Sequence, residues 1–227
     1  MITTIIFDWD DVITLGSKEG YFACYHKALE GVGVVLPPGE EQKRILAKWG
    51  ETHRDELGEL LREQPQLLDR ASEIYEKELF GDTYVDELFI LDGTAEVLKT
   101  LSLSYKLGVA TGIHPGMLYK RVIPRFHIPD VFSEVLSSYD IPDPSKRKPD
   151  PYTALALMRR LGSKPEETVV VGDAKNDVLM AERSGCVPVV VLTGHLNKKQ
   201  AEELGVRYII PDLRSMPDIL SYMACQT

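Results

Sequence analysis

The feature that most narrows what this chain can fold into is its rhythm. Six short runs rich in apolar residues, TTIIFD, YKLGVAT, FSEVLSS, ETVVVGD, VPVVVL and VRYII, are spaced by stretches of helical pattern. Those stretches are TAEVLKTLSLS, GMLYKRVIPRF, PYTALALMRRLG, NDVLMAERSG, NKKQAEELG and SMPDILSYM, and Gly162 supplies a stop to the third of them. A strand buried on both faces reads as a near-continuous apolar run, and parallel neighbours need a crossover long enough for a helix. The alternation therefore predicts an α/β domain: a parallel sheet with helices on both faces.

Residues 16–90 break the rhythm. No strand pattern occurs there, whereas Leu68, Ala71, Tyr75 and Leu79 share one helical face, and EEQKRILAKW and DELGELLRE are amphipathic. Pro37-Pro38 and Gln64-Pro65 separate the helices. The expected division is a core of residues 1–15 and 91–227 with a helical domain, 16–90, inserted after the first strand.

Bulk properties exclude several roles. The most apolar run, VPVVVL, falls far short of the roughly 20 residues a membrane helix needs. Acidic residues begin at Asp8, where a signal peptide would still be apolar, so a cytoplasmic location is expected. Cys24, Cys186 and Cys225 form no metal or disulfide spacing and read as free buried thiols. A net charge of -9 argues against nucleic acid as a partner. GVGVVL lacks the third glycine and the strand–helix context of a dinucleotide fingerprint.

In an open parallel sheet, ligands gather at the carboxyl ends of the strands. The first strand ends in Asp8 and Asp10, the second in Thr111 and Gly112, and the fourth in Asp173, with Asp177 one helical turn on. Lys148 precedes the PYTALAL helix. Each alone has an ordinary explanation as a cap, a turn residue or a solvated charge. Their order and their common position at strand ends are harder to obtain from capping.

The set DWDDVI, VATG, KPDP and VGDAKND resembles the four motifs of the haloacid dehalogenase-like hydrolases, and the insertion resembles the helical cap of the subfamily containing phosphoglycolate phosphatase and beta-phosphoglucomutase. The resemblance implies a Rossmann-like core, an inserted α-helical cap and a magnesium-dependent phosphatase acting on a small phosphorylated metabolite through an aspartyl-phosphate. It makes Asp8 the nucleophile and Asp10 the general acid and base. Asp8, the Asp10 carbonyl and Asp173 would hold magnesium, with Asp177 behind them. Thr111 and the Gly112 amide would hold phosphoryl oxygens, and Lys148 would neutralise charge.

Asp11 stands where the family usually has glycine; it is expected to tolerate the turn and face away from the phosphate. Arg147 replaces another frequent glycine and reads as a solvated charge or an added substrate contact. In similar enzymes the third residue after the glycine of AKWGETHRDEL faces the pocket; here it is His53, open between substrate binding and a plain helix start capped by Thr52. A Schiff-base lysine at that position marks phosphonate-cleaving relatives, and dehalogenases need neither the second aspartate nor magnesium, so both readings are disfavoured. His114 follows the second motif and is expected to be idle; His26, His127 and His195 suggest no metal cluster. A phosphomutase using the same residues, or a weakly catalytic metabolite-binding relative, remain as alternatives.

Overall fold

The computed structural model describes residues 1–48 and 52–226. Within them the chain divides into two compact units, Met1–Leu15 with Phe89–Thr227, and Gly16–Leu88. Trp49, Gly50 and Glu51, part of the EEQKRILAKW and AKWGETHRDEL stretches, lie outside the described residues.

The first unit is built on six parallel strands: β1 (Thr4–Phe7), β2 (Lys106–Thr111), β3 (Glu134–Ser137), β4 (Thr168–Gly172), β5 (Val187–Val191) and β6 (Tyr208–Ile210), in the order β3-β2-β1-β4-β5-β6. The order reverses between β2 and β4, on either side of β1, and such a reversal leaves a crevice at the carboxyl ends of the strands. Phe7 pairs with Val109 of β2 and Val171 of β4, so Asp8 leaves the sheet level with Gly172, the last residue of β4, and one residue before the end of β2. The Asp8 amide still donates to the Val171 carbonyl at 2.8 Å, which fixes the start of the acidic turn.

Packing on the sheet follows from the apolar runs. Ile6, Ala110, Leu136 and Val170 of four adjacent strands pack with Ala154, Leu157 and Leu161 of helix Tyr152–Leu161 and with Met180 and Ala181 of helix Lys175–Ser184. Each fully buried Leu, Ile or Val contributes about 1.5–3 kcal/mol relative to exposure. A second cluster joins Val178 and Val190 to Leu196, Ala201 and Val206. Helix Tyr152–Leu161 ends at Gly162, whose left-handed φ of 61° satisfies the stop expected there.

One expected helix is not uniform. GMLYKRVIPRF forms a short α segment (Pro115–Met117), a π segment (Leu118–Val122) and a further α segment (Ile123–Phe126). Pro124 has no amide proton and crowds the preceding turn, a recognised cause of a widened turn.

The second unit is helical throughout its described elements: Ser17–Gly31, Glu40–Lys48, His53–Leu60, Leu68–Phe80 and Thr83–Glu87, with a 3₁₀ turn at Pro65–Leu67. Both proline breaks fall between helices. Arg44, only 7% exposed, spans two of these helices. It donates to both Glu63 oxygens (2.6 and 3.0 Å), to Glu40 (3.0 Å) and to the Leu60 carbonyl (3.1 Å). Thr52 caps helix His53–Leu60, exchanging backbone and side-chain bonds with Asp55. The segment leaves the sheet unit after Leu15 and the chain returns at Phe89, where the two residues exchange backbone bonds of 2.8 and 2.9 Å.

Cys24, Cys186 and Cys225 are all free. Cys24 and Cys186 are buried as expected, and burial pushes the Cys24 thiol up to about 12; Cys225 is exposed, which corrects the expectation for it. Among the described residues no helix is long and apolar enough to cross a membrane.

Candidate active site

The acidic turn is anchored by an aromatic residue. Trp9 is fully buried, with its ring 5.8 Å from that of Phe132, and its carbonyl accepts from the amides of Val12, Ile13 and Thr14. Burying the side chain between the two aspartates fixes where the backbone of each lies.

Asp8, Asp173 and Asp177 each present a carboxylate oxygen to one small space, all within 4.8 Å of one another. Asp173 follows β4 directly, and Asp177 is in the first turn of helix Lys175–Ser184, where its Oδ2 accepts from the Ala174 amide at 3.2 Å. Gly172 permits this approach, since a Cβ there would lie 2.3 Å from the Asp177 Cβ. Lys148 bridges the group: its Nζ is 2.9 Å from Asp8 Oδ1 and 2.7 Å from Asp177 Oδ1. The loop carrying Lys148 is tied to the same helix by Arg183, which donates to the Pro149 carbonyl at 3.0 Å.

The charges do not balance. Burial pushes Asp8 well above the usual carboxylate range, and Asp177, Asp173 and Asp10 add to that push; Lys148 opposes it without cancelling it. Asp177 is raised too, by burial first and then by Asp173. Burial pulls Lys148 down, but attraction to Asp177 and Asp8 outweighs it and leaves the ammonium above its ordinary value. At an effective dielectric of 20, like charges 4 Å apart repel by about 4 kcal/mol. One ammonium is too little for three carboxylates. The donors are oxygen only, which suits a hard dication such as magnesium.

Thr111 is buried at the end of β2, where its Oγ1 accepts from the Ile113 amide at 3.1 Å and keeps its own proton to donate. A Cβ on exposed Gly112 would meet no heavy atom within 4 Å beyond its chain neighbours. His53 belongs to the other unit. There its ring stacks on Tyr75 (5.2 Å, 9° between planes), with Nε2 3.3 Å from Glu76 Oε1 but off hydrogen-bond alignment.

The family follows from the length of the match. The profile of the haloacid dehalogenase-like hydrolases covers residues 2–185, from before the acidic turn to past Asp177. The chain belongs to the haloacid dehalogenase-like hydrolase family. It is 29% identical over 211 residues to a glyceraldehyde 3-phosphate phosphatase of Methanopyrus kandleri, covering 86% of this chain and 85% of that protein. It is 30% identical over 184 residues to a phosphoglycolate phosphatase of Salmonella choleraesuis, covering 81% of this chain and 60% of that one. In fold it is similar to a protein of Thermotoga maritima provisionally named a beta-phosphoglucomutase, with a TM-score of 0.79, 23% identity, and coverage of 97% and 99% of the two chains.

Three expectations for this hydrolase are corrected. Asp11 does not turn outward: it is 5% exposed, has a left-handed φ of 55°, and its carboxylate lies within 4.8 Å of Asp173 and His195. His195 does not stand apart from the acidic residues. Its Nδ1 is 2.7 Å, and its backbone nitrogen 2.9 Å, from Asp173 Oδ2. Arg147 is not a freely solvated charge; it is half-buried, with Nη2 donating to the Ile141 carbonyl at 3.4 Å. His114 has a local structural part: its Nδ1 accepts from the Gly116 amide at 3.0 Å and caps the short helix that follows.

His195 is the residue that motif spacing could not find, being 22 positions from its partner. The available signal was positional. The strand-end rule, applied to VPVVVL as it was to the other strands, points to the TGHL stretch that follows.

Proposed function

We propose that this hydrolase is a magnesium-dependent phosphatase that cleaves small phosphorylated metabolites through an aspartyl-phosphate on Asp8. The observation that carries the reading is Lys148 bridging Asp8 and Asp177 beside a three-carboxylate group at the ends of β1 and β4. Relatives named for glyceraldehyde 3-phosphate and phosphoglycolate, both small phosphate monoesters, support the substrate class.

Asp8, the Asp10 carbonyl and Asp173 are the residues that would hold magnesium, with Asp177 beside them. The dication supplies the positive charge that lets a carboxylate meet a phosphate anion. Asp8 attacks phosphorus through one carboxylate oxygen as the bond to the leaving oxygen breaks, and Asp10 gives that oxygen a proton. Asp10 then takes a proton from a water, which attacks the aspartyl-phosphate, releases inorganic phosphate and restores Asp8. The Thr111 hydroxyl and Gly112 amide hold phosphoryl oxygens, and Lys148 offsets the charge on Asp8 and phosphate throughout.

These groups meet only the phosphoryl group, so discrimination between esters falls to other residues. We assign part of it to His53 in the inserted unit. His53→Ala should reorder kcat/KM across a panel of sugar and carboxylic-acid phosphates, by up to about tenfold for one hydrogen bond. An unchanged ranking, with stability lowered by loss of the Tyr75 stack, leaves His53 a packing residue. The activity itself is tested by phosphate release from the same panel with magnesium and with chelator. Release only with magnesium, and without any need for a bisphosphate, is the expected result. Release unaffected by chelator contradicts the reading.

A further inference from the structure

We infer that the loop after β5 is a clamp that sets how Asp173 meets a metal ion, with His195 as its positioning residue. The inference rests on the assignment of Asp173 as a metal ligand. Two donors from one residue converge on a single oxygen: the His195 ring Nδ1 at 2.7 Å and the His195 amide at 2.9 Å, both on Asp173 Oδ2. The pairing corresponds to the tautomer with its proton on Nδ1, donated to the carboxylate oxygen. With Oδ2 held by two N–H groups, Oδ1 is the oxygen left to a cation, and the carboxylate is turned to present it singly.

The neighbouring residues fit the same role. Gly194 passes so close to Asp173 that a Cβ at that position would lie 1.9 Å from Oδ2, so only glycine lets the loop reach the carboxylate. Thr193 Oγ1 donates to the Asp11 carbonyl at 2.5 Å, binding the loop to the acidic turn after β1. The Leu196 amide donates to the Asp173 carbonyl at 2.8 Å, so the backbone of Asp173 is gripped as well as its side chain. The loop after β5 thereby bonds both to the Asp173 carboxylate after β4 and to the backbone of the turn after β1.

The group Asp11, Asp173 and His195 also has the makeup of a metal site in its own right. The geometry favours positioning over ligation: Nδ1 already lies 2.7 Å from Asp173 Oδ2, on the same oxygen as the backbone amide, whereas a ligand nitrogen would face the cation and not the carboxylate. A partner of this kind typically changes metal affinity by about 10–100-fold when removed.

The test is magnesium binding by calorimetry to the full chain, with no substrate present. The wild type should bind one ion per chain, and Asp173→Asn should lose that binding. His195→Ala should weaken the affinity by about tenfold or more. His195→Asn, whose side-chain amide can place an N–H near the Nδ1 position, should recover most of it. Melting temperatures in chelator identify any variant that fails to fold, and His195→Asn remains the arbiter if His195→Ala does. Unchanged or tighter binding in His195→Ala, with Asp173→Asn inactive in binding, overturns the clamp and leaves the metal assignment intact. Retained binding in Asp173→Asn overturns both. Two ions per chain, one of them lost in His195→Ala, makes His195 a ligand and overturns the positioning role.

Discussion

Asp8 carries two opposed demands. Burial and the neighbouring carboxylates raise it well above the usual range, yet the nucleophilic role proposed for it requires ionisation. A carboxylate whose folded-state pKa is raised favours the native state while protonated, and that contribution is lost as pH climbs from the unfolded value through the folded one. In chelator at neutral pH, Asp8→Asn should therefore raise the melting temperature while abolishing phosphate release. Each kcal/mol of relief corresponds to roughly 2–4 °C for a chain of this size. A lower melting temperature in chelator would mean that Lys148 already balances the group. Asp11 can be tested in the same way. Asp11→Gly removes a buried carboxylate and the strain of a left-handed side chain, about 1–2 kcal/mol for most residues and less for Asp. The loss of about 0.5–1 kcal/mol to glycine entropy opposes this. The expected outcome in chelator is a modest gain in stability, checked by denaturant melts. At this scale the strand ends pointed to Asp8 and Asp173, with Asp177 a helical turn on, and the structure brings these three carboxylates together with Lys148 from the loop before helix Tyr152–Leu161. Asp11 was misread because a turn tolerant of φ near +55° says nothing about which way its side chain points. His195 escaped notice because its bonds depend on the close approach that Gly194 allows.

Among elements, the least legible part was how helices join. Apolar periodicity put Leu68, Ala71, Tyr75 and Leu79 on one helical face; in helix Leu68–Phe80 Ala71 and Tyr75 are buried, while Leu68 and Leu79 are half-buried. It did not predict that helices Glu40–Lys48 and His53–Leu60 are tied by a buried arginine, since periodicity places charged residues on the solvent side. Arg44 reaches inward because Glu40, Glu63 and the Leu60 carbonyl occupy its donors. Arg44→Ala should cost about 1–2 kcal/mol, measured by urea unfolding, the value being held down by the exposure of its carboxylate partners. The pH dependence has a definite sign. Arg44, and then Arg62, hold Glu63 down at about 2 from an ordinary 4.5. The Glu63 contribution is thus fully present above about 4.5 and disappears as pH falls toward about 2. Wild type and Arg44→Ala should converge in stability across that window. The π segment at Leu118–Val122 was hidden for a related reason: Pro124 flags a break, but not whether the chain kinks, stops or widens.

For the whole molecule, the class of fold was readable because period and length agree: short apolar runs separated by helical stretches allow little besides a parallel α/β sheet. Strand order is another matter. Nothing in the runs themselves places β1 between β2 and β4, and the crossover rules that do so act on the assembled sheet. A net charge of -9, with carboxylates gathered at the strand ends, should make the native state responsive to dications. Magnesium at 100 times its dissociation constant should stabilise the protein by about 2.7 kcal/mol. At roughly 2–4 °C per kcal/mol this is a rise of about 5–11 °C, measurable by thermal melts with and without chelator. Calcium or magnesium giving no rise would remove the cation from the site.

The exchange of backbone bonds between Leu15 and Phe89 has an evolutionary meaning. The segment between them begins and ends at two residues bonded to each other, like a bead on a closed clasp. Loop-closure entropy grows only with the logarithm of length, so what hangs from the clasp can grow, shrink or be traded at little thermodynamic cost to the sheet. The clasp lets the stretch of residues 16–88 vary in length without moving the two points at which it joins the sheet unit.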